Sequence, residues 1–436
     1  MNKPLEKLNI FSFKGVQMRT FHLSWMAFFL CFFGWFGLAP LMSVIKVDLG
    51  LTKDQIGNII IASVAATVVA RVLIGKLCDT WGPRKTYSAL MAFSAIPVLG
   101  VGLVHTYESF LLFRLAIGVI GASFVVTQYH TSVMFSKNIV GTANAVAGGW
   151  GNLGGGVTNM VMPLVFAGFV GLGYLPTQAW RLAMIIPGLM LLVFAVLYFY
   201  YTKDTPEGNF DDLEIDPKAS PKTKGSLLTA AKDIRTWALF LAYAACFGIE
   251  ITFDNVAALY FFDRFDTSLA MAGMLAGTFG LMNLFARALG GIFADKIGRK
   301  YGMIGKGRLL ALFLAMEGIG IAMFAQSNSL VGAVLMMLGF AMFLKMANGV
   351  TYAIVPFINQ KAIGSVSGIV GAGGNVGAVM AGFLFKSSSI SYAQAFMYIG
   401  AAIAVVAALV ALIDFNKTRS EIAVGSGELE TVKVPR

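Results

Sequence analysis

The sequence predicts an all-α membrane protein whose twelve transmembrane helices form two pseudo-symmetric six-helix bundles. Three observations carry that expectation. Of the 436 residues, 57% are hydrophobic and only 13% are charged, about half the charged share of a soluble domain. Twelve apolar runs punctuate the chain, each near the roughly 20 residues that a helix needs to cross a bilayer. A charged loop motif also occurs twice, once in each half.

The first run, 22–45, follows a polar, basic stretch and is too long for a cleaved signal peptide. The next five runs are 56–77, 87–105, 108–134, 140–170 and 180–201. The longest polar interruption, 203–235, is rich in charge and proline and cannot span. Six further runs follow at 236–262, 271–295, 308–325, 329–353, 363–386 and 392–414. The chain therefore divides into an N-terminal bundle (1–202), a linker (203–235), and a C-terminal bundle with a short tail (236–436).

Lysine and arginine set the orientation. With the N-terminus inside, the outer segments hold Lys46, Lys53, Arg181, Arg264 and Lys386, while the inner segments hold nearly all the rest. Both termini and the linker are therefore expected in the cytoplasm. The net charge of +11 is spread over short loops and forms no continuous basic patch, which argues against nucleic acid. Cys31, Cys78 and Cys246 lie in or beside apolar runs and lack metal-ligand spacing. No metal site, no cofactor and no enzymatic nucleophile are expected.

The internal repeat is the sharpest organisational signal. Ala70 to Lys85 reads ARVLIGKLCDTWGPRK, and Ala286 to Lys300 reads ARALGGIFADKIGRK. Arg71, Gly75, Asp79 and Gly82 recur as Arg287, Gly291, Asp295 and Gly298, each pair 216 residues apart. A second repeat is glycine-rich: Ala147 to Gly156 (AGGWGNLGGG) and Gly371 to Ala378 (GAGGNVGA). Each places an asparagine inside a run, at Asn152 and Asn375.

The loop pattern G-x-x-x-D-x-x-G-x-[RK]-[RK] resembles the signature of the major facilitator superfamily. The two glycine-rich, asparagine-bearing runs resemble the paired motifs of its nitrate/nitrite porter branch. Gly248 to Phe265 (GIEITFDNVAALYFFDRF) is similar to the seventh helix of that branch's plant and microbial high-affinity nitrate carriers. The resemblance implies the major facilitator fold and a secondary transporter of nitrate or nitrite. It also implies that Arg71, Arg287, Asn152 and Asn375 line the substrate pore, and that Phe124, in Gly121-Ala122-Ser123-Phe124, faces the substrate. Plant relatives have a longer central loop and tail, and some need a partner subunit. This chain lacks that length, so function as a monomer is expected.

The residues carry chemistry of their own. Arg71 lies eight residues before Asp79, which puts it roughly 12 Å inward from the loop. An arginine at helix centre costs about 2.5–3.5 kcal/mol on insertion scales. For one arginine, pairing with an acid on a neighbouring helix is an equal alternative. Two at matching places favour a pore, because pseudo-symmetry brings such positions together near the midplane. A guanidinium is planar, weakly hydrated and always charged, and it binds planar oxyanions through paired donors. Nitrate and nitrite are planar, monovalent anions. The glycines have a simpler explanation in close helix packing, whereas amides at membrane depth need partners.

Glu250 and Asp254, at i and i+4, share one face of the seventh run and read either as proton-coupling acids or as counter-charges for a pore arginine or for Lys345. Glu317 and Lys345 are possible partners of one another. Arg114 resembles a superfamily residue linked to proton coupling, or it caps a helix end. Asp79 and Asp295 read as braces of the inner loops, and His130 as a packed core residue. Proton-coupled uptake across the cell inner membrane is the expected mechanism; nitrate/nitrite exchange, carriage of another small anion and a non-transporting anion sensor are the alternatives.

Overall fold

Twelve long helices, each too apolar for water, set the architecture of the computed structural model, which describes residues 4–136, 139–213, 226–359 and 363–416. Lys3, Lys137, Lys218, Lys222, Lys224, Lys361, Lys417, Arg419, Lys433 and Arg436, which contributed to the inner-loop charge, lie outside the described residues, as does linker segment 214–225.

In the first half, α1 (Gly15–Phe36) ends where Pro40 opens a short 3₁₀ turn, and a seven-residue helix, Met42–Asp48, completes the crossing. Then come α2 (Lys53–Trp81) and α3 (Pro83–Gly100). α4 comprises Tyr107–Ile117 and Ser123–Met134, joined by a 3₁₀ stretch over Gly118–Ala122. α5 is Val140–Gly171, and α6 is Ile185–Tyr201 behind a short helix, Pro176–Ala183. In the second half α7 is Ile234–Phe265. α8 starts at Leu269–Leu281, loosens into 3₁₀ at Met282–Leu284, and resumes at Ala286. Helical hydrogen bonding runs on to Ala325, but the backbone of Gly302 (φ 64°, ψ −153°) breaks the helix, so 286–301 belong to α8 and 303–325 form α9. α10 (Leu330–Ile354), α11 (Ile363–Lys386) and α12 (Tyr392–Leu412) complete the set. The chain is a multi-pass membrane protein.

Sequence ends and structural ends differ for physical reasons. The side chains of Thr52, Thr106 and Ser391 each accept from the backbone N–H of the third helical residue, and their own backbone N–H donates to that residue's side chain, so these starts are fixed by polar side chains rather than by apolar content. α8 runs past residue 295 because Asp295, Lys296, Arg299 and Lys300 end an apolar run without breaking a helix. The linker is not a plain spacer. Asp204 accepts a bond from the Arg84 backbone N–H (2.9 Å) and another from that of Phe210 (3.2 Å), tying its first residues to the α2–α3 turn. A helix at Ser226–Lys232 precedes α7.

The repeated loop folds differently in the two halves. Gly82 turns the chain with φ 84°, in the region that favours glycine, and Pro83 then starts α3. Its counterpart Gly298 stays helical, and the turn moves to Gly302. Asp295 pairs with Lys306 at 3.2 Å. Asp79 is exposed at the end of α2, beside Tyr129. Gly75 sits in ordinary contact with Val125, and Gly291 faces open space.

Packing follows the pseudo-symmetry. α1 lies on α5 as α7 lies on α11, and α3 lies on α6 as α9 lies on α12. Between the halves, α2 meets α11 and α5 meets α8. Glycines permit these approaches. A Cβ on Gly156 of α5 would stand 2.6 Å from the Gly280 Cα of α8, and one on Gly248 of α7 would stand 2.8 Å from the Gly374 carbonyl of α11. The expected packing role of the glycine-rich helices is therefore met at the backbone level.

Gly156→Leu should force α5 and α8 apart. Overpacking costs about 1–3 kcal/mol, so the expected outcome is a lowered melting temperature in detergent together with lost transport. An unchanged melting temperature would contradict the tight crossing.

Candidate anion site

Arg71 of α2 and Arg287 of α8 enter the centre of the molecule from opposite halves. Arg287 is 6% exposed and Arg71 half-buried. Arg71 Nη1 donates to the Gly371 carbonyl of α11 at 2.9 Å, while its Nε and Nη2 are buried without a partner. Arg287 likewise leaves Nη2 buried and unpartnered. Among the described residues neither arginine makes an ion pair, so the alternative of an acid-paired Arg71 is not what the fold builds.

An aromatic chain connects them. The Arg71 guanidinium carbon lies 5.5 Å from the Phe124 ring centroid. Phe124 meets Tyr352 edge-on at 6.2 Å, and Tyr352 meets Tyr243 at 5.1 Å. Tyr243 stacks on Phe247 at 4.8 Å, and Phe247 lies 5.6 Å from the Arg287 guanidinium carbon. Each arginine thus rests over a phenylalanine, and two tyrosines stand between. Cation–π contact gives the guanidinium groups a favourable surface that leaves their N–H edges free.

Asn152 and Asn375 are 1% and 0% exposed, and neither the nitrogen nor the oxygen of either amide is hydrogen-bonded. Their positions follow from the helix period. Gly371, one turn before Asn375, is the carbonyl that Arg71 touches. Gly148, one turn before Asn152, lies against Phe124 and Gln128. Buried polar groups are nearly always satisfied. Unpartnered atoms occur elsewhere in the interior too, but Arg71, Arg287, Asn152 and Asn375 are the ones that the two repeats place on four helices.

A second polar group backs Arg287. Lys345 of α10, fully buried, stands 2.7 Å from Glu250 Oε1. Glu250 also accepts from Asn283 Nδ2 (2.8 Å) and Asn348 Nδ2 (2.7 Å). Asn283 lies in the 3₁₀ break just before Arg287, where loosened backbone lines the protein interior. Lys345 and Arg287 are the cationic neighbours of Glu250. The suggested pairing of Glu317 with Lys345 does not form, because Glu250 takes the lysine. Asp254 is 2% exposed, with Oδ1 unpartnered and Oδ2 toward Gly155.

The remaining candidates find plainer places. Arg114 donates to the Trp35 carbonyl at the end of α1 (3.1 Å) and to Asn255 Oδ1 of α7 (3.0 Å), so it caps a helix and bridges the halves. His130 is buried with both ring nitrogens bonded, to Tyr198 Oη (2.6 Å) and the Lys203 carbonyl (2.7 Å). The three cysteines are free and buried. Sequence reasoning missed Tyr243, Phe247 and Tyr352. The signal was present for two of them: Tyr243, Phe247, Glu250 and Asp254 sit at i, i+4, i+7 and i+11, one face of α7.

Residues 24–305 match the family model for the Major Facilitator Superfamily. A high affinity nitrate transporter 2.5 from Arabidopsis thaliana is 43% identical over 385 residues, 87% of this chain and 76% of the relative. The chain belongs to the nitrate/nitrite porter family of the major facilitator superfamily. A nitrate/nitrite transporter NrtP from Picosynechococcus is 29% identical, with 85% of each chain covered. Among solved structures, a bacterial homologue of the lysosomal transporter Spinster, inward-facing and occupied, has a TM-score of 0.68 at 14% identity, covering 91% of this chain and 96% of that one. That likeness supports the fold of this porter.

Arg71→Lys and Arg287→Lys should each lose most anion binding while still inserting and folding, because a lysine lacks the planar fork. Asn152→Ala or Asn375→Ala should weaken binding by about 1–3 kcal/mol, the usual penalty when a buried polar partner is removed. Isothermal calorimetry with nitrate checks both, and wild-type affinity in all four folded variants would remove this site.

Proposed function

We propose that this porter carries nitrate, and nitrite as a close analogue, across the cell inner membrane by alternating access, coupled to proton uptake. The observation that carries the reading is the pair of arginines without acid partners, flanked by two unsatisfied amides. One monovalent planar oxyanion between them would neutralise part of the charge and occupy the free donors. The names of the relatives point to the same substrate.

Rocking needs two rigid halves and an interface that can part. We take residues 1–202 and 236–436 as the halves, with 203–235 joining them. At the end of the molecule opposite the termini, several contacts tie the halves: Lys46 to Asp263 (2.5 Å), Lys386 to Asp54 (3.8 Å) and Lys53 to the Ile390 carbonyl, with Arg114 to Asn255 (3.0 Å) buried deeper between them. With both termini in the cytoplasm these contacts form the outer closure, and releasing them would open the site outward. One polypeptide holds the whole arrangement, which supports function as a monomer.

Energetics argue for coupling. Bringing one negative charge in against 100 mV costs about 2.3 kcal/mol, a concentration ratio of about fifty. A uniporter would leak nitrate outward, so uptake needs exchange for internal nitrite or cotransported protons: one per anion cancels the charge and lets a pH gradient drive uptake, and a second lets the membrane potential drive it as well. Glu250 and Asp254 are the acids next to the site. Glu250, placed between Lys345 and Arg287, is positioned to weaken or release the field of Arg287.

The test is purified protein in liposomes. Nitrate should accumulate under an inward proton gradient without internal nitrite, and the uptake should be electrogenic inward for positive charge. Accumulation that requires internal nitrite and ignores the pH gradient would replace symport with exchange.

A further inference from the structure

Glu317 is the one buried acid that neither the sequence motifs nor the site accounts for. It lies midway along α9, 0% exposed, and neither carboxylate oxygen has a hydrogen-bond partner. Its charged neighbours are Glu250 and Lys345, and the Cys246 thiol lies within its field. Among the described residues Lys345 is the one cation in the field of Glu317 itself, with Arg287 beyond Glu250 and Cys246. α12, packed on α9, carries no charged residue, and Lys345 is the only charge in α10. On α9 itself the nearest charge is Arg308, nine residues away, or roughly 13 Å along the axis.

The group around Lys345 therefore holds three buried carboxyls, Glu250, Glu317 and Asp254, and a single lysine. In this structure Lys345 is committed: 2.7 Å from Glu250 and 4.1 Å from the centre of the Phe279 ring. Two amides complete the Glu250 shell. A second ionised carboxylate in this interior would have no donor and no counter-charge, which is the costliest way to bury one.

We propose that Glu317 is a proton carrier of the transport cycle, sharing Lys345 with Glu250. This rests on the proton-coupled reading above. In the described state Glu317 holds the proton and Lys345 neutralises Glu250, so Arg287 keeps its charge for the anion. When the proton leaves Glu317 for the cytoplasm, Lys345 turns toward the new carboxylate. Glu250 then faces Arg287, and the anion is released. A proton from the outer solution returns Glu317 to the neutral acid. Proton and anion thus favour each other's binding, and the linkage runs both ways.

The experiment compares wild type, Glu317→Gln and Glu317→Asp in liposomes, with nitrate–nitrate counterflow and pH-driven accumulation measured on the same preparations. Glu317→Gln mimics the protonated acid. It should keep counterflow and lose the accumulation that a proton gradient supplies, about tenfold per pH unit and per proton. Glu317→Asp should regain driven accumulation. Nitrate affinity, measured by calorimetry, should fall as pH rises in wild type and stay flat in Glu317→Gln. Glu317→Gln that accumulates nitrate as wild type does, or keeps the same pH dependence of affinity, overturns the assignment while proton coupling stands. Loss of counterflow and of nitrate binding in both variants also overturns it, since Glu317 would then be structural. Wild type that shows no driven accumulation overturns the coupled reading, and this role with it.

Discussion

Two guanidinium groups held at membrane depth without a carboxylate partner are the constraint on which this molecule turns. Each costs several kcal/mol to bury, and two like charges in one low-dielectric interior repel. A protein that wanted only stability would pair them with acids. Here Arg71 touches a backbone carbonyl and a ring, and Arg287 a ring, with polar edges left free. The fold supplies what such an arrangement needs: aromatic surfaces that tolerate a cation, and helices close enough to exclude water from the rest.

Those requirements explain the glycines. α5 and α11 carry the two asparagines and also make the closest approaches to α1, α7 and α8. Small residues bring backbones together, which holds the amide-bearing helices against α1, α7 and α8. Packing and function are thus not rival explanations for the glycine-rich motifs. The glycines pack, and the asparagine one turn along from Gly148 or Gly371 is positioned by that packing.

The second half of the molecule bears the electrical adjustment. Arg71 has no acid near it, whereas Arg287 has Glu250 in its field, and Glu250 is held by Lys345 and two amides. The pseudo-symmetry that matches the arginines does not extend to this network. Among the described residues the charged groups around the two arginines are thus distributed unequally between the halves.

The helix count, the twofold repeat and the four polar residues of the candidate site were legible in the sequence, because a bilayer demands long apolar helices and makes every intramembrane arginine or asparagine conspicuous. The same periodicity could have flagged Tyr243 and Phe247 on the face of α7 that carries Glu250. Tertiary structure alone decided the rest. Sequence spacing could not say which acid Lys345 would take, since Glu250 and Glu317 sit on different helices and only packing brings one within 2.7 Å. Nor could it show that the repeated loop turns at Gly82 in one half and at Gly302 in the other. Gly82 and Gly298 are matched glycines, equally free to bend, and only the fold keeps Gly298 helical and moves the turn to Gly302, whose counterpart in the first half is Thr86.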